Sequence, residues 1–379
     1  MNLFNFHKVF LIVPLSFILF CQSKHDSLVI EIEDLISKEK YEKALVLLHD
    51  RLSSNKPTAE VLSKNRPNQP RLLMPSDDRT KIIWTENKTL FFRDLINDKS
   101  FQRELKLRPD SIMSSANGEY VAIQYPLRQY GGCAVFGYSA SDSNLEHESL
   151  VHIPCKTGMG ITNQGDALLY FFENDLFLEK IGKPNKPEKF MSGELFPTPF
   201  PKLKTHFHIA PIGNEFLVWS GVGGAYNLFF LNIEQKKVSL VSKDIVLPRF
   251  YPHNGNSGYV VGGKIGDLYL KEVNYQSGRV PSISKGIPIV TREAYSWRLS
   301  GKDEFITLNQ NDPNQPMKWK VLGKKEHMPF FIERMWGVSG DRIIYENKKG
   351  ELVLDDLIFS KDDWDMYEFY KKVKKLSDN

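Results

Sequence analysis

Short apolar runs alternate with polar turns from about Ile82 to Phe359, and the runs are stretches of five to eight residues rich in β-branched and aromatic side chains. Three segments share one design: IIWTENKTLFF from Ile82, LLYFFENDLFL from Leu168 and IIYENKKGELVL from Ile343. Each joins an aromatic-rich run to a second, alternating run through a Glu-Asn pair: Glu86-Asn87, Glu173-Asn174 and Glu346-Asn347. Asparagine tolerates positive φ, so these pairs predict tight β-hairpins without any ligand to explain them.

The unit recurs with other turns. Asn117-Gly118, Gln164-Gly165, Gly213-Asn214, Ser257-Gly258, Ser300-Gly301 and Ser339-Gly340 each lead into a strand, and Asp77-Asp78-Arg79 leads into the first. The strands start near Ile82, Val121, Ala167, Phe216, Tyr259, Phe305 and Ile343, at spacings of 39, 46, 49, 43, 46 and 38 residues. That period suits a four-stranded propeller blade, and a helical repeat would instead show apolar positions every 3.6 residues. The expected fold is all-β: a seven-bladed β-propeller over residues 66–360, with a six-bladed ring carrying an irregular insertion as the alternative. Blade two reads SIMSS, YVAIQYPL, CAVFGYS and SLVHIP; blade four reads FHIAP, EFLVWS, YNLFFLNI and KVSLVS. The last blade is short of an outer strand, which residues Ala59 to Lys64 could supply, closing the ring and removing its sheet edges.

Flanking this region the period changes. Ser27 to Ser53 reads as a short helical hairpin, with apolar Leu28, Ile32, Leu35 and Ile36, then Tyr41, Ala44, Leu45 and Leu48. Its second half, KYEKALVLLHDRL, is similar to half of a tetratricopeptide repeat, but a single copy makes no binding solenoid. Residues 361–379 read as a C-terminal helix with Trp364, Tyr367 and Tyr370 facing inward.

At the N-terminus, Lys8 precedes an uncharged apolar run from Val9 to Phe20, then Cys21 and polar Gln22-Ser23-Lys24. The run is too short to span a bilayer and suits a signal-peptide core over residues 1–20. Ile18-Leu19-Phe20-Cys21 resembles a bacterial lipobox, which implies lipidation at Cys21, a membrane anchor and a place in the cell envelope or periplasm. A plain secretory signal is the alternative. By the same resemblance, Gln22 after the cysteine favours the outer membrane. Residues 21–65 would then hold the lipidated cysteine, the helical hairpin and a linker.

With 41% hydrophobic and 25% charged residues, the 379-residue chain can bury a large core. A net charge of +4 with scattered basic residues excludes a nucleic-acid surface. In an exported chain Cys133 and Cys155, at facing ends of a hairpin, are expected to form a disulfide, with two buried thiols as the alternative.

The repeats resemble the TolB-like and WD40-like propellers of bacterial exported proteins over about three quarters of the chain. The likeness is architectural: the Trp-Asp dipeptide of WD repeats does not recur, nor does the Ser-x-Asp-x-Gly-x-Thr-Trp box of sialidases.

Candidate chemistry is sparse. His206 and His208 share one side of a strand, but with only His253 as a third ligand they are expected to line the channel rather than bind metal. Gly258 to Lys264 matches G-x-x-x-x-G-K, yet Ile265 stands where a phosphate loop needs Ser or Thr, and no helix follows. There is no G-x-S-x-G or H-E-x-x-H, and no cofactor is expected. Glycines cluster instead at Gly131-Gly132, Gly221 to Gly224 and Gly262-Gly263, beside Tyr130 and Tyr226. On the same face the blade connections carry Phe196 and Phe200, Phe250 and Tyr251, and Phe330 and Phe331. Adaptable loops with aromatic groups make a binding face, with Phe196, Phe200, Tyr130, Tyr226, Phe250 and Tyr251 as its partner-binding residues. The functional expectation is a lipid-anchored, non-enzymatic binding or scaffold protein for an envelope protein, peptide or glycan. The alternative is an exported hydrolase or lyase with a site at the channel mouth.

Overall fold

A computed structural model describes residues 26–54, 56, 58–64, 73–75, 80–126, 133–137, 146–148, 158–182, 187–212, 214–254, 257–264, 267–274, 282–283, 287–289, 296–298, 304–309, 312–320, 325–339 and 342–378. The signal segment, Cys21, Tyr130, Gly131-Gly132 and Cys155 lie outside them. The chain divides into two compact units, residues 1–52 with 361–379, and residues 53–360.

The first unit is helical. α1 (Asp26–Ser37) and α2 (Tyr41–Leu52) form the predicted hairpin, and α3 (Lys361–Ser377) packs along α2. Its core is Ile32, Ala44, Leu48, Leu52, Met366, Tyr367 and Val373, while Trp364 and Tyr370 are half-buried. The two ends of the sequence thus meet in one bundle.

The elements of the second unit are β-strands, apart from one 3₁₀ turn among the described residues. A short β1 (Glu60–Ser63) precedes β2 (Leu73–Pro75), β3 (Lys81–Glu86), β4 (Thr89–Asp94) and β5 (Lys99–Glu104), of which β2 to β5 make the first four-stranded antiparallel sheet. The second sheet is β6 (Ser111–Ser114), β7 (Tyr120–Gln124), β8 (Cys133–Gly137) and β9 (Glu146–Glu148). The third is β10 (Met159–Ile161), β11 (Ala167–Phe172), β12 (Asp175–Lys180) and β13 (Glu188–Met191).

Next comes a continuous path of β14 (His206–Ile212), β15 (Glu215–Val222), β16 (Ala225–Asn232), β17 (Lys237–Asn254), β18 (Ser257–Lys264), β19 (Asp267–Asn274) and β20 (Ser282–Ile283), with β21 (Ile287–Ile289) also on β19. A further four-stranded sheet holds β22 (Ser296–Arg298), β23 (Glu304–Asn309), β24 (Asp312–Lys320) and β25 (Lys325–His327). The last combines β26 (Arg334–Ser339), β27 (Arg342–Glu346) and β28 (Leu352–Asp356) with β1 from the start of the chain.

First strands of successive sheets lie side by side, β2 with β6, β6 with β10, β10 with β14, β22 with β26, and β26 with β2. Among the described residues the unit is a propeller-like ring of five four-stranded sheets and one eight-stranded sheet. Burial follows from that layering: β3 is buried at every position because neighbouring sheets cover both of its faces, β4 alternates, and the outer β5 is largely exposed.

In the second sheet the outer strand described is Glu146–Glu148, and the run SLVHIP lies outside the described residues. One expected feature differs. β17 does not stop after Ser242; it continues through Asn254, pairing first with β16 and then, past Ile245, with β18. Phe250 and Tyr251 therefore stand opposite Val260 and Tyr259 in a ladder and are not on a loop. Gly262 and Gly263 likewise lie inside β18.

Hairpin chemistry works as the pattern implies at two of the three Glu-Asn pairs. Asn87 has φ 52°, and Glu173 and Asn174 have φ 49° and 71°, a two-residue turn with both residues left-handed. At the third, the left-handed residue is Gly350 (φ 72°), and Asn347 Oδ1 accepts from the Lys349 and Glu351 N–H groups at 2.9 Å each.

Closure of the ring is bonded through both backbone and side chains. β1 pairs antiparallel with β28, Glu60 opposite Leu354 and Val61 opposite Val353. Glu60 also meets Arg93 of β4 at 2.8 Å, tying the closing strand to the first sheet. Ahead of β1, Lys56 Nζ donates to the carbonyls of Asp356 and Ile358 at 2.9 Å each and sits 3.5 Å from the Phe359 ring centroid. Behind it Asp355, 1% exposed, accepts from Thr58 Oγ1 (3.2 Å) and Tyr345 Oη (3.4 Å), with Lys56 Nζ at 3.9 Å. Burial raises the Asp355 pKa, and Lys56 is the largest of the interactions opposing that rise.

Removing Lys56 strands two acceptors and takes the cation from a buried carboxylate. Lys56→Ala is expected to cost about 3 kcal/mol in urea unfolding of the β unit, whereas substitution of exposed Lys349 stays within about 0.5 kcal/mol.

Candidate functional site

The connection from β13 to β14, Ser192 to Thr205, is built on contacts to both sheets that it joins. Ser192 Oγ accepts the Glu194 N–H and starts a single 3₁₀ turn, Gly193–Leu195. Gly193 donates its N–H to Asp175 Oδ1 at 3.2 Å, and a Cβ there would stand 1.7 Å from the Asn174 carbonyl oxygen, so only glycine fits. Lys189, 2.6 Å from Asp175, holds that carboxyl below its ordinary range, with the Gly193 N–H adding to the effect.

Phe196 then enters the core. It is 1% exposed and packs edge-on against Phe171 (5.5 Å between centroids), Phe229 (5.6 Å) and Phe207 (6.5 Å). Ser220 Oγ donates to the Phe196 carbonyl at 2.6 Å, and Asn227 Nδ2 to the Pro197 carbonyl at 2.8 Å. The expectation that Phe196 contacts a partner is corrected: its ring is the wedge between the third sheet and β14–β16. On either side of this wedge the chain is at the surface, with Leu195 52%, Phe200 48% and Leu203 56% exposed, and Lys202 and Lys204 exposed as well. Of the pair expected on this loop, only Phe200 is free to meet another molecule.

Tyr226 is also corrected. It is 9% exposed because Gly221, directly opposite, leaves room for its ring; a Cβ on Gly221 would lie 2.5 Å from that ring. The ring turns its edge to His208 at 5.5 Å. His208 and Trp219 are register partners on the same side of the sheet, and Trp219 Nε1 is buried with no hydrogen-bond partner among the described residues. Burial lowers the His208 pKa, and the neighbouring His206 lowers it further; burial raises that of Tyr226. Among the described residues no three metal-capable side chains converge, and His253 is placed only as part of β17. Cys133 opens β8 opposite Gln124, and its expected disulfide partner Cys155 lies outside the described residues. Phe330 and Phe331 are core residues, 6% and 3% exposed.

At the other end of the same sheets lies a groove of about 380 Å³ that the sequence pattern did not announce. Its floor is Ala167, Leu178, Ile181 and Ile233; its rim is Thr162, Gln164, Asp166, Lys180, Asn214 and Glu234. The β10–β11 turn shapes one wall. Gly165 has φ 65° and presses against the Tyr120 ring, where a Cβ would come within 2.3 Å, and Thr162 Oγ1 donates to Asp166 Oδ1 at 2.6 Å. The neighbouring turns are bonded in series. Lys81 Nζ donates to the Asn117 carbonyl (3.2 Å) and pairs with Glu119 (2.9 Å), and Asn117 donates its N–H to Asn163 Oδ1 at 2.9 Å. The signal in the sequence was the pair of turns Asn117-Gly118 and Gln164-Gly165, legible as turns but not as the wall of a cleft.

No protein-family model matches the chain, and no curated protein sequence matches it. Solved structures similar to it include a prolyl endopeptidase at 15% identity and TM-score 0.48, covering 86% of this chain and 50% of that one. An oligogalacturonate lyase in complex with manganese is similar at 10% identity and TM-score 0.47, covering 81% and 92%. TolB from Acinetobacter baumannii is similar at 11% identity and TM-score 0.35, covering 56% of each chain. The chain spans about half the length of the prolyl endopeptidase chain that it matches.

Two measurements separate core from surface here. Phe196→Ala is expected to cost about 4 kcal/mol of stability and Phe200→Ala less than about 0.5 kcal/mol, read by urea unfolding. His208 is expected to titrate below 6.5 by NMR, and His206→Gln to raise its midpoint without restoring the ordinary value, since burial remains. Because the unfolded imidazole binds its proton more readily than the folded one, this group's contribution to stability is complete above 6.5 and is lost as pH falls toward the folded value.

Proposed function

We propose that this chain is a lipid-anchored β-propeller of the bacterial cell envelope that holds a segment of a protein partner without turning it over. Counting β14–β17 and β17–β20 as two blades, and β26–β28 with β1 as the last, gives a ring of seven. The run Val9 to Phe20 ending at Cys21 supports export and lipidation.

The observation that carries the binding reading is the groove between the third sheet and the β14–β16 sheet. Its volume of about 380 Å³ falls in the range of ligand-holding clefts. An aliphatic floor receives an apolar side chain, while amides at Gln164 and Asn214, carboxylates at Asp166 and Glu234, and the Lys180 ammonium can satisfy a peptide backbone along the rim. Among the described residues no aromatic ring lines it to stack a sugar, so among protein, peptide and glycan partners a peptide segment fits best.

A photo-reactive benzoylphenylalanine placed at Gln164 or Asn214 in intact cells is expected to yield one defined cross-linked species, while the same group at exposed Ile358 yields none. Equal yields from all three positions, or no adduct from the groove, would overturn the reading.

A further inference from the structure

We infer that the stretch from Leu195 to Lys204 seats this protein on an anionic phospholipid surface. The inference rests on the envelope reading above and adds a second, direct membrane contact to the lipid anchor. Among the described residues, exposed large apolar side chains elsewhere in the β unit come singly along the chain: Val61, Ile96, Leu240 and Ile358. Here three fall within one short segment, Leu195, Phe200 and Leu203, which is the pattern of an interaction site and not of ordinary surface.

Charge selects the occupant. Lys202 and Lys204 are exposed among these apolar groups, and Glu194, just before Leu195, is the one acidic residue of the connection from Ser192 to Thr205. Apolar tips flanked by lysines match the boundary of a bilayer, where rings and aliphatic groups enter the acyl region and ammonium groups meet anionic headgroups. A protein partner would be expected to answer the lysines with fixed carboxylates at one geometry, but flexible, exposed lysines suit a mobile, diffuse anionic plane better.

The segment is held ready for that contact. Phe196 is wedged in the core, the carbonyls of residues 196 and 197 are bonded to Ser220 and Asn227, and Pro197, Pro199 and Pro201 restrict the rest. The Leu203 N–H donates to the Phe200 carbonyl at 3.1 Å, closing a turn that fixes the backbone between these two residues. Little conformational freedom is therefore left to lose on docking. The partner groove lies at the opposite ends of the same strands, so a molecule seated in this way presents the groove to the aqueous side.

The test uses the full chain with Phe200→Trp and vesicles of mixed phosphatidylcholine and phosphatidylglycerol or of phosphatidylcholine alone. The emission difference from wild type is expected to shift to the blue, and to be quenched by brominated acyl chains, in the anionic vesicles only. Adding Lys202→Gln and Lys204→Gln should weaken the lipid titration of that signal by about 25-fold, at about fivefold per lysine. In wild-type chain, hydrogen exchange of peptides spanning residues 192–205 should slow with the same vesicles, which keeps the result independent of any effect of the new indole. Absence of both signals while the chain cosediments with vesicles would overturn seating and leave the anchor standing. An equal signal in phosphatidylcholine alone, indifferent to the lysines, would overturn it as well. Cosedimentation of Cys21→Ala reports separately on the anchor.

Discussion

The ring depends on one closure. Three strands of the last sheet come from the C-terminal part of the β unit, and β28 would expose an unpaired edge without β1. An open edge in a sheet this rich in apolar residues invites pairing with another chain. Here it is filled by a strand from the opposite end of the β unit, and Lys56 locks the join by bonding to the carbonyls of Asp356, the last residue of β28, and Ile358 just beyond it. Asp355 is buried at the same join with Thr58, Tyr345 and Lys56 as partners, so the closing strand must be in place before that carboxylate is satisfied. Polar and backbone terms thus make closure specific, where apolar contact alone would tolerate a slipped register.

Once the ring is closed, each pair of neighbouring sheets must fill the wedge between them. Between the third sheet and β14–β16 the filler comes from the connecting segment: Phe196 completes an aromatic cluster with Phe171, Phe207 and Phe229. Glycines permit the close approaches. A Cβ on Gly158 would meet the backbone of Phe207 and His208 within 3 Å, and one on Gly160 would meet Ile209 and Phe216. This packing leaves the connection fixed at its base and exposed at its tip, and it leaves the groove open at the other end, where the filling side chains are shorter and aliphatic.

The two ends of these sheets therefore differ in chemistry for a structural reason. At the connection end, the chain must cross from one sheet to the next, and the crossing carries more apolar groups than the core can take; Leu195, Phe200 and Leu203 remain outside. At the turn end, tight hairpins with left-handed glycines keep the backbone close to the sheets, and their short polar side chains bond from one turn to the next through Lys81, Asn117 and Asn163. A hydrophobic surface at one end and a polar-rimmed cleft at the other follow from how the strands are joined.

What the sequence determined by itself is whatever depends on neighbours along the chain. Strand period, the repeat spacing, the left-handed turns at Asn87 and Glu173-Asn174, the helical hairpin and the completion of the last sheet by a strand near Ala59 to Lys64 are written in local alternation and turn chemistry, because those are settled by backbone sterics within a few residues. What the tertiary structure decided is which side chains face another sheet. Phe196 and Phe200 stand in the same kind of context, Phe-Pro, yet one is a core wedge and the other a surface tip, since only the position of Phe171, Phe207 and Phe229 across the wedge distinguishes them. Tyr226 is buried by a missing side chain on the adjacent strand, β17 runs on through residues that read as a loop, α3 joins α2 from the far end of the chain, and the groove is assembled from turns of two sheets. Burial is a property of the space between elements, and that space exists only when the ring has closed.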